Sequence, residues 1–400
     1  MIRSAKYLLQ PTKGQRRRLD HLLWQQRKLY NSALEERKTA WESEQRSVTR
    51  YEQFAGLNDM AETNPDLAQY GTRVARGTLT RLDLAYKAFF RRCRAGESPG
   101  HPRFKGRHRW DSVTYSEASG WKVDSDTSRL YLMGVGHIRV KLHRSLPGRP
   151  KTAVVKREGR KWWVVVQCDQ VPARPLDPTG RQVGVDLGVT SILTTSDGEH
   201  LANPRFTRKA AERLAAAQRD LDRKVKYSNR RRKAVQRVAA HHRKVANCRR
   251  DLAHQTSRAL IDSFDLIVHE DLPITNLVGR PAPRPNEEGA FDPNGAAAKA
   301  GLNRSIHDAG WGQLLRFLTY KAEDAGREVI AVDPRNTSRT CSSCGHCEKA
   351  NRLSQSVFRC LGCGHQAHAD ENAAINILRA GLALRLQPQA VQREAESVAA

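Results

Sequence analysis

Two short cysteine pairs constrain this chain more than anything else in it. Cys341-Ser-Ser-Cys344-Gly345 is followed, after fifteen intervening residues, by Cys360-Leu-Gly-Cys363-Gly364. Four thiolates at that separation can close a tetrahedral zinc shell, so the chain from 341 to 363 must fold back around one ion. Glycine after each pair lets the backbone turn sharply and bring N–H groups toward the sulfurs. A four-cysteine shell leaves no open coordination position, which makes the ion structural. His346, Cys347, His365 and His368 are alternative ligands nearby, but only the two CxxCG segments match each other. Seven residues past the last cysteine, Asp370 opens the helix-like segment Asp370-Glu371-Asn372-Ala-Ala-Ile-Asn376. A zinc module joined directly to a carboxylate points to a positioned acid rather than to a free-standing finger.

The remaining chain is long and strongly basic. Its 400 residues, 39% of them hydrophobic, allow two to three domains with true cores. A formal net charge of +27 calls for a polyanionic partner, with nucleic acid favoured over a membrane surface. No run approaches eighteen apolar residues, and Met1-Ile-Arg-Ser-Ala-Lys6 has no signal-peptide apolar core. Cys93, Cys168, Cys248 and Cys347 are scattered, a usage that suits a reduced, intracellular setting, and the location expected for a nucleic-acid-binding chain is cytoplasmic and nucleoid-associated.

Periodicity divides the chain. Residues 5–10 read as a strand closed by Pro11-Thr12, and Leu19, Leu22, Leu23, Leu29, Tyr30, Ala33 and Leu34 then recur at helical spacing. A second helix carries Leu79, Leu82, Leu84, Tyr86, Phe89 and Phe90, with a polar, weakly structured stretch expected over 41–71. From 100 to 170 short alternating runs and turns suggest a small antiparallel barrel. Trp110, Tyr115 and Trp121 belong to its core more readily than to a base-stacking surface. Pro172–Gly180 is a linker. Residues 205–250 are helical and carry seventeen Lys/Arg against Glu212, Asp220 and Asp222, too lopsided for a merely solvated face. Arg230-Arg231-Arg232-Lys233 is expected at the turn between two antiparallel helices and in contact with nucleic acid. The Pro-, Gly- and Ala-rich stretch 279–302 reads as a mobile loop, and the tail over 383–400 as unstructured.

Three acids stand at the ends of regular elements. Asp186 closes Val183-Gly-Val-Asp186-Leu-Gly188, Glu270 closes Leu266-Ile-Val, and Asp370 starts a helix. Each alone has a plain reading: a turn or cap for Asp186, a solvated edge for Glu270, a helix cap for Asp370. In the order strand-Asp, strand-Glu, zinc module, helix-Asp, on a basic chain, they suit a pair of magnesium ions and phosphodiester hydrolysis. The DxG turn marks ribonuclease H-like sheets, though actin-like ATPases use it too.

With those residues the chain resembles the TnpB family, transposon-encoded RNA-guided DNA endonucleases related to compact type V CRISPR effectors. The resemblance is carried by Leu29-Tyr30-Asn31, Ala88-Phe-Phe-Arg-Arg92, Gly100-His-Pro-Arg103-Phe-Lys105, Gly184-Val-Asp186-Leu-Gly188, Glu270-Asp-Leu272, Ser305–Trp311 and the cysteine and Asp370–Asn376 motifs. It implies an α/β plus β-barrel fold. The RuvC (ribonuclease H-like) domain would span 181–336 and 366–380 with an inserted zinc ribbon at 337–365. A wedge barrel at 1–14 and 99–175 would carry a helical recognition insert at 15–98. Asp186, Glu270 and Asp370 would hold two Mg2+ ions, and Cys341, Cys344, Cys360 and Cys363 one structural Zn2+. A guide RNA from the transposon end would direct cleavage of double- or single-stranded target DNA beside a short adjacent motif, with Arg103, Lys105 and Arg230–Lys233 on nucleic acid. A nuclease-inactive repressor and a guide-independent transposase or resolvase are the alternatives. Many relatives carry Arg just before the third acid; here it is Ala369, so that cation is absent or comes from elsewhere, such as Arg379.

Overall fold

The structure is a computed structural model that describes residues 2–398 apart from His108 and Glu288, with side chains through Leu386. It divides into two units, Met1–Pro172 and Ala173–Ala400.

In the first unit, strand β1 (Arg3–Gln10) runs into helix α1 (Lys13–Glu44) through a reciprocal cap. The Gln15 N–H donates to Thr12 Oγ1, and the Thr12 N–H donates to Gln15 Oε1. The apolar stripe anticipated from spacing, Leu19 to Leu34, is buried. The stretch 41–71 is not weakly structured. Helix α1 continues to Glu44, and three short helices follow: α2 (Arg50–Ala55), α3 (Leu57–Thr63) and α4 (Pro65–Tyr70). Thr49 and Asn64 cap α2 and α4, while Leu57, Leu67 and Tyr70 anchor the otherwise polar segment in the core. Helix α5 (Thr72–Arg94) buries Val74, Ala75, Leu79 and Leu82 but leaves Leu84 and Phe90 exposed, off the packed stripe. A Cβ at Gly77 would meet the Thr114 carbonyl at 2.5 Å, so only glycine lets α5 lie this close to the strands.

Six further strands complete this unit: β2 (Ser112–Tyr115), β3 (Trp121–Asp124), β4 (Arg129–Leu132), β5 (Gly136–Lys141), β6 (Arg149–Glu158) and β7 (Lys161–Asp169). With β1 they form an antiparallel sheet of order β2-β6-β7-β1-β5-β4-β3. Among the described residues no ladder joins β2 to β3. Tyr7 and Leu9 pair with Val164 and Trp162, and alternate side chains pack inward. Trp110, Tyr115 and Trp121 are buried in that core.

The second unit holds a five-stranded sheet of order β10-β9-β8-β11-β12, built from β8 (Gln182–Asp186), β9 (Ser191–Thr195), β10 (His200–Ala202), β11 (Leu266–Glu270) and β12 (Glu328–Val332). The first three run antiparallel, and β11 lies parallel between β8 and β12. Between β10 and β11 come α6 (Phe206–Asp222) and α7 (Asn229–Ser263). The turn joining them is 223–228, not the Arg230–Lys233 tetrad. Ser228 Oγ accepts the Arg231 N–H and starts α7, which puts the tetrad inside its first turn. After α8 (Ile274–Leu277), helix α9 (Ala296–Ala309) begins within the supposed 279–302 loop, where Ala296-Ala-Ala-Lys favours helix. Helix α10 (Trp311–Ala325) packs Leu314, Leu318 and Ala322 on Val183, Val185 and Ile267.

On the opposite face lies α11 (Ala369–Val398), whose Ile377 packs with Leu266, Val268 and Val332. A Cβ at Gly184 would fall 2.7 Å from the Leu378 amide, so the glycine of the Gly-Val-Asp segment is what allows α11 to rest directly on β8. The tail expected to be unstructured over 383–400 instead continues α11 as far as Val398; the side chains beyond Leu386 lie outside the described residues. Strands β13 (Val357–Arg359) and β14 (Gln366–His368) form a hairpin just before α11. Among the described residues no helix is long and apolar enough to cross a membrane.

Candidate functional site

Parallel pairing of β8 with β11 ends at Val185 and His269, and the next residue of each strand is an acid, Asp186 and Glu270. Both therefore emerge at the same sheet edge, the carboxyl end, where α/β folds gather reactive groups. Helix α11 crosses that edge with Asp370 in its first turn. Glu270 and Asp370 are each only 9% exposed. Glu270 Oε1 accepts from Thr337 Oγ1 at 2.5 Å, and Thr337 is itself buried. Asp370 Oδ1 accepts from Arg352 Nη2 at 3.0 Å. Burial, and then the charges of Glu270 and Asp370, push the Asp186 carboxyl up to about 7, against the pull of the Arg352 guanidinium. Burial also raises Glu270, with the Thr337 hydroxyl and Arg352 opposing. Three partly buried carboxylates in mutual repulsion, with one guanidinium to offset them, form a donor set that fits hard divalent cations.

The elements around these acids are tied by the motif residues. Trp311 Nε1 donates to the Gly188 carbonyl at 3.1 Å and so holds the turn after Asp186. Asn372 Oδ1 accepts the Ser342 N–H, and Asn372 Nδ2 donates to the Thr340 carbonyl. Asn376 Nδ2 donates to the carbonyls of Thr337 and Thr340. The Asp-x-Asn-Ala-Ala-x-Asn spacing thus places one acid and two amide clamps on the start of α11.

The four cysteines converge as their spacing requires. Cys341 and Cys363 sulfurs lie 3.7 Å apart, Cys344 and Cys360 sulfurs 3.6 Å, and all four sulfurs fall within 4.8 Å of one another. Zinc–sulfur bonds of about 2.3 Å give tetrahedral edges of about 3.8 Å, so the set fits that ion. The two knuckles are copies: Gly345 and Gly364 have φ of +80° and +76°, and their N–H groups donate to the Cys341 and Cys360 carbonyls at 3.0 Å. Cys347 and His346 stand outside the set, the latter beside Glu348. His365 accepts the Cys360 N–H through its carbonyl.

Ala369, at the position where the resemblance leads to an Arg, is fully buried in one cluster with Cys341, Phe358 and Cys360. Arg379 is not the substitute, because it donates to the Ser342 carbonyl. The cation at the acids is Arg352, from the zinc module, held by the Ser354 and Gln355 carbonyls. Arg352 and Thr337 carry no motif signal and are the residues that sequence reasoning missed.

The basic positions divide. Arg230, Arg232 and Lys233 are exposed on α7, whereas Arg231 turns inward and donates to the Leu221 and Lys224 carbonyls, capping the end of α6. Arg103 is exposed. Lys105 is half-buried, its backbone clamped by Asn31 and its ammonium 5.5 Å from the Tyr30 ring.

Three family models match the chain: "Probable transposase" over residues 164–280, "Cas12f1-like, TNB domain" over 311–377 and "Helix-turn-helix domain" over 1–46. The last covers β1 and a single unbroken helix in this structure. The "Putative RNA-guided DNA endonuclease InsQ" of Escherichia coli (strain K12) is 38% identical over 315 residues, 79% of this chain and 76% of that protein. A "Putative RNA-guided DNA endonuclease" of Streptomyces pristinaespiralis is 32% identical over 404 residues, 99% of this chain and 93% of its own. Among solved structures, "Structure of the mini-RNA-guided endonuclease CRISPR-Cas_phi3" aligns with a TM-score of 0.49 at 11% identity, covering 95% of this chain and 92% of that one.

Proposed function

The chain belongs to the TnpB family of RNA-guided DNA endonucleases, and on that premise we propose that it cuts guide-paired DNA at Asp186, Glu270 and Asp370. The observation that carries the assignment is the convergence of those acids from β8, β11 and α11 at one sheet edge. Sheet order β10-β9-β8-β11-β12, with β9 alone antiparallel to the other four strands, supports a RuvC, ribonuclease H-like reading. The antiparallel sheet of the first unit, interrupted after β1 by helices α1–α5, supports a wedge barrel with a helical recognition insert.

Asp186, Glu270 and Asp370 would hold two magnesium ions, which activate water and stabilise the leaving oxygen when bound. Asp186 gives up its proton near neutral pH, Thr337 orients Glu270, and Arg352 fixes one oxygen of Asp370 so that the other can face the reaction. Asn372 and Asn376 transmit the rigidity of the zinc-bound loop to the helix that carries Asp370. The four-cysteine zinc is therefore a structural support of the cutting centre, with no step of its own.

Sequence recognition falls to a guide RNA from the transposon end. Exposed Arg230, Arg232 and Lys233 and the net charge of +27 suit backbone binding, while base pairing reads the target beside a short adjacent motif. The test uses protein purified with its RNA and a matched DNA. Asp186→Ala is expected to lower cleavage by roughly 10³-fold or more while guided binding persists. Site-specific cutting by ribonuclease-treated, RNA-free protein would refute guide dependence, and full activity of Asp186→Ala would remove that acid from the site.

A further inference from the structure

Beside the carboxylates, on the outer side of β9, lies a second convergence of ligand-type side chains that neither the acids nor the thiolates use. His200 comes from β10, His368 from the end of β14 and Glu371 from the first turn of α11. One ligand atom from each lies within 4.8 Å of the others. The register explains the meeting: Asp186 pairs with Thr194 on β9, and Thr194 pairs with His200 on β10, so His200 stands level with the acid site two strands away.

Two features make this more than a surface ion pair. His200 is oriented from behind, its Nδ1 lying 3.2 Å from Thr194 Oγ1, which aims Nε2 at Glu371 Oε1, 2.7 Å away. Such a rear hydrogen bond is the usual way a metal-binding histidine is fixed in ring orientation. A second imidazole is then added to that pair, with the His200 and His368 rings edge to face at 4.6 Å, a place where a simple histidine–glutamate bridge needs no third partner. The Asp370 N–H contact to His368 Nδ1 is long, 3.3 Å, and can yield.

We propose that His200, His368 and Glu371 form a transition-metal site of the zinc class, distinct from the tetrathiolate and from the magnesium-type acids. Two imidazoles and one carboxylate are a borderline-soft set that takes Zn2+, Co2+ or Ni2+, whereas hard Mg2+ prefers the all-oxygen cluster. Bonds of about 2.0–2.1 Å need ligand atoms about 3.4 Å apart, which small side-chain rotations supply from the observed spacing. His200 is 30% and Glu371 35% exposed at the side chain, so solvent water can complete the shell. An ion there joins β10 to the turn of α11 that carries Asp370.

The test is metal content, independent of cleavage. Purified full-length protein is dialysed against low-micromolar zinc in magnesium-containing buffer and analysed for zinc per chain. Wild type is expected to hold two ions, and His200→Ala and Glu371→Gln one each, the cysteine-bound ion remaining. With cobalt, the second ion should add weak visible d–d bands without thiolate charge-transfer absorption, and both variants should lose those bands. If His200→Ala fails to fold, the nearly isosteric Glu371→Gln decides alone. One zinc in wild type, or a second ion that persists in the folded variants, overturns the site; neither result touches the assignment of the nuclease acids.

Discussion

Asp186→Asn should stabilise the magnesium-free protein, and do so more at high pH. The carboxyl titrates at about 7 in the folded chain, against an ordinary value of 3.8. Between those values the folded state binds a proton that the unfolded state has lost, so wild-type stability falls as pH rises through that window and the full cost is present above pH 7. At about 1.4 kcal/mol per pH unit, the ceiling is about 4 kcal/mol, part of it shared with Glu270 and Asp370. Asparagine keeps the shape and removes the charge. The gain should therefore approach that ceiling at pH 8 and shrink by about half at pH 5.5, where the folded carboxyl is still protonated. Urea denaturation followed by circular dichroism, with zinc retained and magnesium omitted, measures both. Magnesium should reverse the order at pH 8, stabilising wild type far more than the variant. An equal gain at the two pH values, or none at pH 8, would refute the account of Asp186 as a buried acid repelled by its neighbours.

Cys360→Ser should lower the zinc content by the cysteine-bound ion and loosen the 337–372 segment, because structural zinc contributes on the order of 10 kcal/mol in small metallodomains; proteolysis and elemental analysis report both, and cleavage should fall with Asp370 untouched. Arg352→Ala removes the guanidinium that opposes the upward shifts of Asp186 and Glu270, so the acid limb of the single-turnover pH–rate profile should move to higher pH, with a rate loss of about 10- to 100-fold at pH 7. An unmoved profile would leave Arg352 a structural residue only. Neutralising Arg230, Arg232 and Lys233 together should flatten the log–log salt dependence of RNA binding by up to about 2, at 0.7 per lost contact, whereas Arg231→Ala should weaken the α6–α7 hairpin in thermal melts without changing that slope.

Short-range signals in the sequence reach their structures directly. Two CxxCG pairs can close a shell only by folding the chain between them, and Thr12 with Gln15 starts a helix whatever lies beyond it. Strand-end acids followed by glycine or by a strand break are likewise local, and Asp186 and Glu270 stand where their runs end. Spacing failed where a residue's role depended on what packs against it. Arg231 sits in a uniform basic tetrad, yet the turn at 223–228 gives it two carbonyls to cap and leaves its neighbours to solvent. The segment 41–71 looks too polar to fold, but Leu57, Leu67 and Tyr70 find a core supplied by α1 and α5. Arg352 is one of 69 basic residues by composition. It reaches Asp370, eighteen positions along the chain, because the zinc loop folds its carbonyls around the guanidinium. Ligand spacing, caps and charge are properties of a few adjacent residues and survive in one dimension. Which long side chain meets a buried carboxylate depends on the docking of a zinc loop, a helix and a sheet edge, and only the tertiary structure decides it.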